Sequence, residues 1–232
     1  MRSSRFPGKV LQKIFQRSLL ENVLWNLPND RLVVLTSIES GDDVLAEFCE
    51  SRNILVSRGS ETNVFDRFYQ GIQEYPAPFY IRVTGDNPCL YKPSFPLMLQ
   101  MLRMEKLDYC VGHELPLGGA AEAFTRESFL NQAVFSKSPR QMEHVTAAYY
   151  EAGSSFQWKP LKCNFNHLRS LRLTVDTPRD LEMFQAISRV CAKDPCQLSY
   201  EELEKILHDH QNILELNRGI TQRTVYDVDG KK

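Results

Sequence analysis

Short apolar runs rich in Val, Ile, Leu and Tyr recur along the chain, and stretches with apolar residues at helical spacing separate them. Runs of this length bounded by turn-forming residues predict strands, and their alternation with amphipathic helices predicts an α/β protein built on a mostly parallel sheet. Strands are expected at residues 31–36 (RLVVLT), 53–56 (NILV), 79–84 (FYIRVT), 108–111 (DYCV), 121–124 (AEAF) and 171–175 (LRLTV). The first and third are the most hydrophobic and are expected at the centre of the sheet, covered on both faces.

Helices are expected at residues 17–27, 42–51, 64–74, 93–104, 126–135, 140–151, 178–190 and 200–210. The start at Pro178 is the most legible. Thr177 supplies a cap, proline occupies the first helical position, and Asp180 and Glu182 place negative charge at the positive end of the helix dipole. Thr125 plays the same capping part before residue 126. Residues 112–120 (GHELPLGGA) have no periodicity and form a loop, and loops at the carboxyl ends of strands are where α/β proteins place substrates. With no internal repeat or linker, residues 1–226 are expected to form one domain, followed by a frayed polar tail at 227–232 (DVDGKK).

Composition narrows the function classes. The chain has 232 residues, 42% hydrophobic and 25% charged, so it can bury a sizeable core. Its net charge of −1 gives no overall drive toward nucleic acid or an anionic membrane, so any anion site must be local. No apolar run approaches the ~20 residues of a membrane span, and no secretory signal pattern is present, so a cytoplasmic protein is expected. Six cysteines without a CxxC pair point to reduced thiols, and Cys191 with Cys196 lacks nearby partners for zinc. No two of the five histidines stand four apart on a helix, which argues against a histidine metal site.

Three constellations carry chemistry. In the opening loop, Arg2, Arg5 and Lys9 supply positive charge, Ser3 and Ser4 supply hydroxyls, and Gly8 permits close backbone approach; the loop could hold a polyphosphate, although composition alone favours a solvated basic terminus. Gly85-Asp86-Asn87-Pro88 follows the strand FYIRVT, so Asp86 is either a ligand-site carboxylate or a turn former. Val175-Asp176-Thr177-Pro178 repeats the pattern, with helix capping as the alternative role of Asp176. Two strand-end aspartates can meet around one divalent ion, and magnesium suits such a site because it takes its other ligands from water and phosphate oxygens.

The strings SSRFPGKVL (3–11), RGSETNVFDRFYQ (58–70), RVTGDNP (82–88), EAFTRESF (122–129), EHVT (143–146) and RLTVDTPRDLE (172–182) appear in this order. Together they resemble the cytidylyltransferases of the spore coat polysaccharide biosynthesis protein F family, relatives of CMP-KDO synthetase and acylneuraminate cytidylyltransferase. The resemblance implies a Rossmann-like nucleotide-diphospho-sugar transferase fold, often a homodimer, that activates a sugar or sugar acid with CTP and releases pyrophosphate. It places Arg5 and Lys9 at the triphosphate with Ser3 and Ser4 around it, makes Asp86 and Asp176 ligands of Mg2+, and puts Arg58, Ser60 and Arg67 near the nucleotide.

Departures accompany the resemblance. In the family the opening loop follows a buried apolar first strand in the middle of the sheet, and no such strand precedes Ser3 here. With its lead-in that strand amounts to roughly ten residues, and a slot left in its place exposes two ladder edges at a cost rivalling the ~5–15 kcal/mol stability of a domain. The acidic loop that the family carries before EAF is replaced by Pro116-Leu117-Gly118-Gly119-Ala120-Ala121. Two other readings therefore stand beside the sugar nucleotidyltransferase in surface polysaccharide synthesis. One is a nucleotide-binding or dimerisation homologue without catalysis. The other is a nucleotide-sugar glycosyltransferase, whose usual Asp-x-Asp pair is not found at the strand end occupied by Asp86-Asn87-Pro88.

Overall fold

A computed structural model describes residues 5–28, 31–134 and 137–221. Ser3, Ser4 and the tail expected at 227–232 lie outside the described residues. The chain begins with a single 3-10 turn, Lys9–Leu11, and continues through α1 (Leu19–Trp25), β1 (Val33–Ser37), α2 (Asp43–Glu50), β2 (Leu55–Gly59) and α3 (Val64–Glu74). Then come β3 (Phe79–Arg82), α4 (Ser94–Met104), β4 (Tyr109–His113), β5 (Glu122–Thr125) and α5 (Arg126–Ala133). Two short helices, α6 (Pro139–Glu143) and α7 (Ala147–Tyr150), lead to β6 (Trp158–Lys162), and α8 (Pro178–Cys191), α9 (Tyr200–Asp209) and α10 (Gln211–Leu214) close the described chain.

The helix starts follow their caps. Ser18 and Glu21 form a reciprocal capping box at α1, Asn63 caps α3, and Thr177 with Asp180 caps α8 behind Pro178. The helix expected over 140–151 is broken after Glu143. His144 leaves helical backbone geometry, the Val145 and Thr146 side chains are buried, and the Thr146 hydroxyl is drawn to Glu122.

The strands form two groups. β1 and β2 pair in parallel, from Val33 opposite Leu55 to Ser37 opposite Gly59. The second sheet has the order β3-β5-β4-β6; β5 runs against both neighbours, and β3, β4 and β6 share one direction. Residues 171–175 are not a strand, contrary to their alternation. Only Arg172 makes a bridge, to Leu117, while the Leu173 N–H goes to Leu117 and the Val175 N–H to Asp86. The segment Trp158–Lys162 takes the edge beside β4 instead, where Pro160 and exposed lysines are tolerated.

The expectation that β1 and β3 are central also fails. Among the described residues each pairs with one strand only, so each presents its other edge to the same cleft. The cleft, about 520 Å³, runs between Val33 and Leu35 of β1 and Phe79 and Ile81 of β3, with Ile72 of α3 and Leu99 of α4 closing over it. β3 is half-buried along its whole length rather than enclosed. No strand in the described residues occupies the position that the resemblance assigns to a first strand.

Packing is concentrated elsewhere. Met98 and Leu102 of α4 bury against Cys110 and Ala123, and an aromatic stack of Phe65, Phe129, Phe124, Tyr149 and Tyr109 fills the opposite side of the second sheet. Leu173, Val175, Phe184, Ile187 and Leu203 join α8 and α9 to the segment before Asp176. All six cysteines are free thiols, and all but Cys191 are buried.

One charge pair sits inside this frame. Arg82 and Glu122 face each other across β3 and β5 and are ion-paired, and Glu122 also accepts from the Tyr109 hydroxyl (2.7 Å) and the Thr146 hydroxyl (2.6 Å). Burial by itself would raise the Glu122 carboxyl, but the Arg82 charge and these hydroxyls hold it below the usual range. Glu122→Gln is expected to destabilise the protein by about 1–3 kcal/mol at pH 7, because it leaves the Arg82 guanidinium without its charge partner. The depressed carboxyl contributes stability above its unfolded pKa of ~4.3 and loses it as pH falls through the folded value. Urea melts at pH 7 and pH 3 should therefore show the difference between variant and wild type shrinking in acid.

Candidate active site

The opening loop is folded onto two turns, the one that follows β3 and the one that leads into α8. Gly8 adopts the left-handed region (φ 70°) that lets the chain turn into Lys9–Leu11, and Val10 lies over Gly85. The two turns are stitched together from below, with the Val175 N–H donating to the Asp86 carbonyl at 2.8 Å and the Thr174 hydroxyl to the same oxygen at 3.4 Å. Asp86 and Asp176, 90 residues apart in sequence, thereby reach one point in space.

That point holds a cationic nitrogen. Lys9 Nζ donates to Asp86 Oδ2 at 2.8 Å and to Asp176 Oδ1 at 2.9 Å, with the Lys9 side chain only 11% exposed. The other oxygen of Asp176, Oδ2, is shared by Arg5 (3.0 Å) and Arg172 (2.7 Å). Burial would raise the Asp176 carboxyl, but the hydrogen bond and charge of Lys9, with Arg5 and Arg172 behind them, hold it below the usual carboxylate range.

Asp176 is braced from its buried side. Asp180, fully buried, accepts Arg172 Nε at 2.8 Å, the backbone N–H groups of Asp176 (3.0 Å) and Thr177 (2.8 Å), and the Thr177 hydroxyl at 2.9 Å. Asn217, beyond α10, donates from Nδ2 to the Arg172 carbonyl at 3.1 Å and to Asp180 Oδ1 at 3.3 Å. Gly118 closes the same segment from the other side. Its φ is 94°, and a Cβ there would fall 2.7 Å from the backbone of Leu173 and Thr174. Gly118 of the 112–120 loop thus serves backbone contact next to the candidate site.

The predicted site residues divide into two sets. Arg5, Lys9, Asp86 and Asp176 come together. Arg58, Ser60 and Arg67 make their hydrogen bonds elsewhere. Arg58 holds the Ser37 and Glu39 carbonyls and Asp43, the Ser60 hydroxyl accepts the Asn63 N–H, and Arg67 donates to the Ser60 carbonyl. These three therefore brace the carboxyl ends of β1 and β2, although Arg67 Nε remains buried without a partner.

Arg172, Asp180 and Asn217 escape a reading of candidate sites. Arg172 and Asp180 stand four residues on either side of Asp176, a spacing that hints at a shared cluster, whereas nothing around Asn217 marks it.

The donor set suits magnesium. Two carboxylate oxygens already close on one cationic nitrogen, and magnesium needs one or two carboxylates, with water and phosphate filling its other positions. Among the described residues no group of three or more His, Cys, Asp or Glu side chains forms an all-protein metal cage.

Comparisons with known proteins bear on the family and the fold. The spore coat polysaccharide biosynthesis protein SpsF of Bacillus subtilis is 28% identical over 218 residues, covering 90% of each chain. A cytidylyltransferase structure from Leptospira borgpetersenii superposes with a TM-score of 0.83 at 22% identity, over 96% of this chain and 95% of that one. CMP:2-keto-3-deoxy-manno-octonic acid synthetase complexed with CTP superposes with a TM-score of 0.57 at 17% identity, over 81% of this chain and 94% of that one. The profile of the family described as Cytidylyltransferase matches residues 1–226, and with that match the chain belongs to the cytidylyltransferase family and is a nucleotidyltransferase.

Proposed function

We propose that this nucleotidyltransferase activates a sugar or sugar acid with CTP and magnesium, releases pyrophosphate, and serves surface polysaccharide synthesis as a cytoplasmic homodimer. The observation that carries the reading is the convergence of Lys9 and Arg5 with Asp86, after β3, and Asp176, before α8. The name of SpsF and the CTP complex of the synthetase support the substrate class.

In this reading an acceptor oxygen forms a bond to the α-phosphorus as the bond to the bridging oxygen breaks. The electron pair leaves with pyrophosphate, and the acceptor proton passes to solvent. Negative charge moves onto the leaving group, so cations placed along its path lower the barrier. Arg5 and Lys9 supply them from the opening loop. Asp86 and Asp176 hold magnesium, which when bound neutralises charge on the phosphate oxygens. Arg172 keeps Asp176 ionised while the loop cations turn to the nucleotide.

The test is incubation with CTP, magnesium chloride and a panel of sugars and sugar acids, with pyrophosphate release followed enzymatically and a cytidylylated sugar sought by mass spectrometry. Release with at least one acceptor is expected. A second reading, a nucleotide-binding homologue without catalysis, is favoured by the open edges of β1 and β3; calorimetric CTP binding with no release across the panel would support it. Neither binding nor release would overturn both.

A further inference from the structure

We propose that Arg172, Asp180 and Asn217 form a buried positioning relay that fixes which oxygen of Asp176 faces the reaction cleft. The inference rests on the nucleotidyl-transfer reading above, and it adds residues on the buried side of Asp176.

Two oxygens on one carboxylate are free to exchange places by rotation about χ2 unless their environments differ. Here they differ sharply. Oδ2 is taken by Arg5 and by Arg172, whose guanidinium is almost wholly enclosed, and Oδ1 is left to the position where Lys9 and Asp86 meet. Arg172 cannot follow Asp176 if it turns, because its Nε is held at 2.8 Å by Asp180. Asp180 in turn binds the backbone N–H groups of Asp176 and Thr177, so the same carboxylate sets the main chain that carries Asp176 and the guanidinium that grips its side chain.

Asn217 completes the relay from the carboxyl-terminal side. Its amide group meets both Asp180 Oδ1 and the Arg172 carbonyl, and its side chain is buried. A neutral amide has two donors, and both contacts use Nδ2, so a single side chain closes the ring behind the carboxylate. The segment after α10 thus reaches the candidate active site without touching it.

Asn217→Ala is the cleanest probe because it removes no charge. It is expected to lower kcat for pyrophosphate release about tenfold, in the range seen when outer-shell partners of a ligating side chain are lost, and to leave KM for CTP within about twofold. Arg172→Ala is expected to lose about a hundredfold and to regain activity with added guanidinium ion but not with ammonium. Amide hydrogen exchange gives a readout that needs no substrate. The Asp176 and Thr177 amides should exchange faster in Asn217→Ala while the amides of β4 and β5 keep their protection. Unchanged kcat with unchanged Asp176 and Thr177 protection in Asn217→Ala overturns the relay, as does a loss of kcat that merely tracks the unfolded fraction by circular dichroism. If the wild-type protein releases no pyrophosphate with any acceptor, the nucleotidyl-transfer reading falls and the exchange data alone decide the relay.

Discussion

Asp86→Asn is expected to reduce pyrophosphate release by about 10²–10³-fold while leaving the melting temperature within a few degrees of wild type. The substitution keeps the shape of the side chain and the backbone carbonyl through which Val175 and Thr174 tie the two turns together. Lys9 keeps its bond to Asp176, so no buried charge is orphaned. What disappears is one of two anionic oxygens aimed at the cation position, and with it the charge that in the proposed reading would hold a divalent ion against the phosphates. Turnover above a tenth of the wild-type rate would remove Asp86 from the metal assignment, and a collapsed melting temperature would show a structural residue instead.

Lys9→Met should be the more revealing variant. Methionine fills the space of the lysine stem, which lies in a site only 11% exposed, and removes the ammonium alone. In the nucleotide-free protein that ammonium is the cation between Asp86 Oδ2 and Asp176 Oδ1, so its loss leaves two carboxylates confronting each other. In the proposed reading it becomes a partner for the triphosphate when nucleotide binds. Both effects act on the same assay, and KM for CTP is expected to rise at least about tenfold as kcat falls about 10²-fold.

Stability should respond with a definite sign. The depressed Asp176 carboxyl contributes stability above the unfolded pKa of ~3.9, and that contribution is lost as pH falls through the folded value. Without Lys9 the carboxyl rises and the contribution shrinks. Urea melts should therefore separate wild type from Lys9→Met most at pH 7 and least near pH 3. A separation that widens in acid would contradict the charge pairing.

What could be read from the sequence depended on whether a residue's local role matched its tertiary one. α3 and α8 were legible to within a residue because Asn63 and Thr177-Pro178 start helices by local rules. The run LRLTV alternates like a strand, yet Arg172, the residue that should face water, turns inward to two carboxylates, and the backbone of the run pairs with loops. β6 was invisible for the converse reason. Its Lys-Pro-Leu-Lys sequence suits only an exposed edge, and edge strands carry little hydrophobic signal.

The candidate site divides along the same line. Lys9, Asp86 and Asp176 occupy a glycine loop, the turn after β3 and the turn that starts α8, positions marked by local turn and capping residues. Arg58 sits in an equally suggestive string, but the carbonyls at the end of β1 need donors and it supplies them. Asn217 lies 37 residues from the carboxylate it binds, and no local pattern encodes that pairing.

The interruption between β1 and β3 gives the two residue sets different mechanical footing. Arg58 and Ser60 ride with the β1–β2 pair and Arg67 with α3 above it, while Asp86 and Asp176 lie beyond the break and the opening loop spans it, Val10 and Leu11 packing with Val34 and Val56 as Lys9 reaches both aspartates. No backbone ladder among the described residues couples β1 to β3. A nucleotide long enough to engage both sets would act as a rivet across the sheet, adding its own bonds where the two strand groups are joined by the side chains of α3 and the opening loop rather than by a ladder.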